Sequence, residues 1–104
     1  MKKLIKASSQ LHISQCSFDF DLGTHYDSER LSAQIENILD QFGCYVCAID
    51  FRSVDYSTET YSQCSFDFEW SNDYDQKGIS NTIEDLIESE DGEFLGIDFY
   101  SLTD

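Results

Sequence analysis

Ser14-Gln15-Cys16-Ser17-Phe18-Asp19-Phe20 returns, residue for residue, as Ser62-Gln63-Cys64-Ser65-Phe66-Asp67-Phe68. Shifting the chain by 48 positions lays residues 14–56 on 62–104 without a gap; 16 of the 43 pairs are then identical, where ordinary composition gives about three. The other identities are Tyr26-Asp27 with Tyr74-Asp75, Ser32 with Ser80, Ile35-Glu36 with Ile83-Glu84, Ile49-Asp50-Phe51 with Ile97-Asp98-Phe99, and Ser53 with Ser101. Conservative pairs such as Asp21 with Glu69 and Leu31 with Ile79 extend the match. The chain is a tandem duplication, and whatever one half folds into, the other half repeats.

Within each half the apolar period changes twice. Cys16, Phe18, Phe20 and Leu22 alternate with Ser17, Asp19 and Asp21, as do Cys64, Phe66, Phe68 and Trp70 with Ser65, Asp67 and Glu69. A period of two marks a strand with one covered and one open face. Leu31, Ile35, Ile38, Leu39 and Phe42 then recur at helical spacing behind the capping residues Asp27-Ser28, with Gly43 at the C′ position. The second copy has Ile79, Ile83, Leu86 and Ile87. The closing strands are expected to turn Tyr45, Cys47, Ile49 and Phe51, and Leu95, Ile97 and Phe99, to the core, with Asp50 and Asp98 pointing away. The polar break Asp55-Tyr56-Ser57-Thr58 suits a hairpin joining the copies.

The order βαββαβ predicts the α+β class: a ferredoxin-like two-layer sandwich in which both helices cover one face of an antiparallel sheet. Residues 2–7 are a candidate extra N-terminal strand. The competing arrangements are another duplicated two-layer α/β sandwich and an intertwined dimer exchanging halves. A length of 104 residues suits a single domain, 1–104, with internal repeats 14–56 and 62–104.

Charge narrows the function. The net charge is −15, from 21 Asp plus Glu against six Lys plus Arg, and Lys2, Lys3 and Lys6 are crowded at the front. Such a chain repels polyphosphate and anionic membranes, so direct nucleic-acid and membrane partners are not expected. With 14% aromatic residues it is a folding sequence and not an acidic disordered tail. Solubility needs far fewer charges, and a halophilic habit fits poorly with eight Phe and six Tyr. A positively charged partner fits better. No apolar run is long enough for a membrane span, and Ser8, Ser9 and Gln10 interrupt any signal-peptide core. A cytoplasmic protein with reduced thiols is therefore expected.

Catalytic and metal-binding patterns are weak. Cys44 and Cys47 form a lone Cys-x-x-Cys, whose members face opposite sides of a strand and lack a second ligand pair. Cys16 and Cys64 sit in core-facing phase among the repeated Phe residues. His12 and His25 have no nucleophile at a telling spacing, and carboxylates are too numerous to single out an acid-base pair. Asp73-Tyr74-Asp75 starts like a cation loop but lacks the later Gly and Glu of an EF-hand. Neither metal, cofactor nor enzymatic activity is expected. Tyr74 and Tyr100 are candidate interface anchors; the phase of Trp70 points to the core.

With the two repeated strands as central neighbours, Asp19, Asp21, Asp67 and Glu69 are expected in the middle of the open face, with Asp50 and Asp98 on flanking strands. Glu84, Asp85 and Glu88 on the second helix, with Glu90, Asp91 and Glu93 after it, would carry negative charge around one end. Like charges across a sheet repel, so such a face makes sense opposite a cation-lined partner. In size, acidity and lack of catalytic groups the chain resembles, as a physical type without an alignable motif, phage-encoded nucleic-acid-mimic inhibitors: the anti-CRISPR and anti-restriction proteins. That resemblance implies an inhibitor, monomeric or homodimeric, in the host cytoplasm. Its partner would be a basic nucleic-acid-binding protein or nuclease complex, at a protospacer-adjacent-motif site or guide-target groove. An antitoxin or immunity-type protein neutralising a basic toxin is the alternative.

Overall fold

A computed structural model describes residues 11–23, 25–71 and 73–103; the candidate strand at 2–7 lies outside them. The elements follow the order β1 (His12–Asp21), α1 (Ser28–Gln41), β2 (Tyr45–Tyr56), β3 (Glu59–Trp70), α2 (Gln76–Ser89) and β4 (Glu93–Ser101). The four strands form one sheet in the order β2-β3-β1-β4, every neighbouring pair antiparallel. The two repeat strands are thus the central pair.

Cys16, Phe18, Phe20, Cys64, Phe66 and Phe68 from the sheet meet Leu31, Ile35, Ile38, Leu39, Ile79, Ile83 and Ile87 from the helices in one buried cluster. The two helices therefore share one side of the sheet, giving a two-layer α+β sandwich. Burying each large apolar side chain contributes about 1.5–3 kcal/mol, so the repeated Phe pairs dominate the sheet's share of the core.

Capping repeats as faithfully as packing. Asp27 accepts a hydrogen bond from the Arg30 amide at 3.1 Å, and Asp75 from the Gly78 amide at 2.9 Å. Each helix closes in a Schellman turn, with the Cys44 amide on the Leu39 carbonyl and the Gly92 amide on the Ile87 carbonyl. The left-handed residue of that turn is Gly43 (φ 76°) in the first copy and Asp91 (φ 63°) in the second. The hairpin joining the copies turns on Ser57-Thr58 alone, with Tyr56 paired to Glu59, so Asp55 and Tyr56 remain within β2.

The closing strands depart from simple alternation. Opposite β3, Val46 pairs with Phe68 and Ala48 with Asp67, leaving Cys47 as an extra residue. Opposite β1, Phe94 pairs with Phe20 and Gly96 with Asp19, leaving Leu95 extra. These are the same position in the two copies. A β-bulge reverses the facing of every residue on its far side, so Val46 and Phe94 turn to the core, and Tyr45, Cys47 and Leu95 do not. Tyr45 is 68% exposed and Leu95 45%. Ile49, Phe51, Ile97 and Phe99 pack on the core as their phase requires.

Candidate partner-binding face

The sheet face away from the helices carries the outward residues of all four strands, and their rows follow from the register. The middle row is Asp98, Ser17, Ser65, Asp50, reading from β4 to β2. To one side lies Gly96, Asp19, Gln63, Arg52, and to the other Tyr100, Gln15, Asp67, Ala48. A pseudo-twofold axis passes between Ser17 and Ser65 and exchanges the copies.

This register revises the expected layout. Because β1 and β3 are antiparallel, Asp19 and Asp67 lie on opposite sides of the central serines, and Asp21 and Glu69 step outward to opposite ends. The middle of the face belongs to small hydroxyls flanked by Asp50 and Asp98. Glu84, Asp85 and Glu88 lie on α2, in the other layer, and Asp85 lines the groove between the helices with Gln34, Ile38, Thr82 and Leu86.

Glutamines hold the inner carboxylates. The Gln63 side-chain amide donates to Asp19 Oδ1 at 2.9 Å, and its own oxygen accepts from Arg52 Nε at 2.8 Å and Nη2 at 2.6 Å. Across the axis, the Gln15 amide donates to Asp67 Oδ1 at 3.2 Å. Arg52 corresponds to Tyr100 in the second copy, so the axis relates the carboxylates but not the cation. Among the described residues of this face, Arg52 is the one cationic side chain.

At the Asp21 end, Asp21, Glu59, Tyr61, Glu93 and Leu95 line a shallow depression. Glu59 had no place in the sequence-based face. Carrying the phase of β3 back from Gln63 through Tyr61 would have found it, had the strand been known to run so far into the hairpin. The opposite end has Glu69 beside Cys47, whose thiol donates to Glu69 Oε2 at 3.4 Å. Burial, this hydrogen bond and the negative charges of Glu69 and Asp67 push the Cys47 thiol above its ordinary value.

The other cysteines are core residues. Cys16 and Cys64 are fully buried free thiols, pushed far above the usual range first by burial. Cys16 pairs with Phe66 and Phe18 with Cys64, so the two thiols are diagonal neighbours. That relationship spaces Cα atoms by about 7–8 Å, beyond disulfide reach. Cys44 is buried on the side opposite Cys47. No group of three or more His, Cys, Asp or Glu among the described residues is placed to hold a metal ion.

Of the aromatic candidates, Tyr100 stands 50% exposed on the open face. Tyr74 packs edge-on against Phe68 at 5.2 Å. Trp70 is half-buried, stacked on His12 at 4.4 Å, with its indole N–H donated to Ser14 Oγ at 2.9 Å.

No protein-family model matches the chain, and no curated protein does. Among solved structures, the full extracellular region of zebrafish Gpr126/Adgrg6 contains a similar fold: TM-score 0.56, 13% identity, over 88% of this chain and 14% of that one. An amidase of the hydantoinase/carbamoylase family from Burkholderia multivorans aligns with TM-score 0.49 and 8% identity over 88% of this chain and 27% of that one. A formyltetrahydrofolate deformylase from Pseudomonas putida aligns with TM-score 0.45 and 13% identity over 86% and 28%. The chain thus spans a small part of each. The first likeness bears on the fold alone.

Proposed function

We propose that this chain is a non-enzymatic inhibitor of the anti-CRISPR type, acting in the cytoplasm of a host cell. Its open sheet face enters a positively charged nucleic-acid-binding site of a bacterial defence complex and takes the place of the nucleic acid. The ferredoxin-like assignment belongs to this reading and is supported by the strand order β2-β3-β1-β4 with both helices on one side.

One observation carries the proposal. The face that ferredoxin-like nucleic-acid binders line with aromatics and basic residues is lined here by Asp19, Asp21, Asp50, Asp67, Glu69 and Asp98 with Arg52 as the opposing charge. A rigid sheet holds these carboxylates in fixed positions without a mobile side-chain framework to order on binding. A channel of Lys and Arg evolved for phosphates gains from them the same electrostatic attraction and steering.

The test is binding to purified bacterial defence proteins, RNA-guided effector complexes and restriction endonucleases among them, at two salt concentrations. The expected result is a complex that weakens at least tenfold between 50 and 200 mM salt, on the scale of several lost ion contacts. The double reversal D19K/D67K should abolish it, while E29K/E36K on α1, an equal change of charge, leaves it within about threefold because exposed charges beyond a Debye length are screened. Equal losses from both pairs would reject a defined face in favour of non-specific acidity.

A further inference from the structure

Resting on the reading just given, the geometry points to double-stranded nucleic acid as the ligand that this face imitates: we infer that six of its carboxylates stand in for two antiparallel phosphate backbones, with Glu59 and Glu93 adding charge at the Asp21 end alone. The sheet register sorts them into two tracks. Asp21 and Asp19 follow one another on β1, and the next carboxylate diagonally is Asp98 on β4; Glu69 and Asp67 follow on β3, and the next is Asp50 on β2. The pseudo-twofold axis between Ser17 and Ser65 carries each track onto the other and reverses its direction.

The spacing is regular. Same-face neighbours on a strand are about 6.6 Å apart and adjacent strands about 4.8 Å, so each track steps by about 7–8 Å. Asp19 and Asp67 are separated by four residues along and one strand across, Asp50 and Asp98 by three strands across; both separations come to about 14 Å. A single strand has one backbone and no dyad. A duplex has two backbones of opposite direction related by a dyad, separated by a groove about 12 Å wide on its major side. Between the tracks lie Ser17, Ser65, Gln15 and Gln63, short or neutral groups, with the Arg52 guanidinium on Gln63 as the one charge reaching into the gap.

The duplication is therefore part of the function: each track takes two carboxylates from one copy and one from the other, so a half chain would complete neither backbone. The partner is a basic cleft shaped for a duplex, with two cationic walls. Both walls must be satisfied, so removing either track costs a similar amount.

Two arms test this on whichever purified defence protein binds through the face. In the first, a 20-base-pair DNA duplex and each of its single strands compete with the chain for that protein. The duplex is expected to displace it at concentrations at least tenfold below either strand. In the second, the single-track variants D19N/D21N/D98N and E69Q/D67N/D50N are compared after their melting curves confirm folding; both are expected to lose at least 30-fold in affinity and to match within about threefold. Competition by a single strand as strong as by the duplex, or loss confined to one track, overturns the duplex inference while leaving inhibition by the face intact. No protein binding through the face would bring down both.

Discussion

At the scale of single residues, the two copies solve the same local problems with different side chains, and the comparison shows which solution is strained. The left-handed position closing α1 is Gly43, but the one closing α2 is Asp91, which bears both the left-handed cost of an L-residue and a negative charge at a helix C-terminus. D91G is expected to raise stability by about 0.5–1 kcal/mol, net of the extra freedom of glycine in the unfolded chain; thermal melting should rise by a few degrees. The thiols offer a second residue-scale test. Because the raised value of Cys47 keeps it protonated near neutrality, its alkylation by iodoacetamide should be slow at pH 7 and accelerate as pH rises beyond its ordinary range. E69Q removes one hydrogen-bond acceptor and one nearby charge, so it should speed the reaction severalfold at pH 8. Cys16, Cys44 and Cys64 should react only on unfolding. The inward phase of Cys16 and Cys64 was legible from alternation; the exposure of Cys47 was not, because it depends on a bulge.

Between elements, the helices meet at two pseudo-equivalent contacts that have diverged. Arg30 at the start of α1 forms a two-pronged ion pair with Glu90 at the end of α2. The equivalent of Arg30 is Gly78 and the equivalent of Glu90 is Phe42, and here the ring closes directly on the glycine. A Cβ at Gly78 would lie 2.7 Å from Phe42 Cε1 and 2.5 Å from the capping oxygen Asp75 Oδ2. Alanine in place of glycine inside a helix ordinarily gains about 1 kcal/mol. G78A should instead destabilise by about 1–2 kcal/mol, since overpacking and cap loss together outweigh the propensity. A denaturation cycle with F42L should show coupling of at least about 0.5 kcal/mol. Helix starts, stops and apolar stripes could be read from the chain because they are set within a few residues. The matched bulges at Cys47 and Leu95 could not, since an extra residue is defined only against a partner strand.

For the molecule as a whole, self-repulsion from a net charge of −15 opposes folding. Added sodium chloride should therefore stabilise the chain: melting temperature is expected to rise by several degrees between 10 mM and 0.5 M, as screening shortens the range of repulsion. A flat or falling curve would show that the carboxylates are already compensated within the fold. The same salt should weaken the proposed complex, so stability and binding move in opposite directions with one variable. The duplication, the six elements, the apolar faces of the helices and of the two repeat strands, and the outward phase of the repeated aspartates are properties of the sequence itself, because periods of 2.0 and 3.6 record which side of an element is wet. Tertiary structure alone decided which carboxylates are neighbours. Antiparallel pairing about Ser17 and Ser65 drew Asp19 and Asp67 apart, brought Asp50 and Asp98 level with the axis, and left Glu84, Asp85 and Glu88 on the other layer, because register and layer are relations between distant segments that no local period encodes.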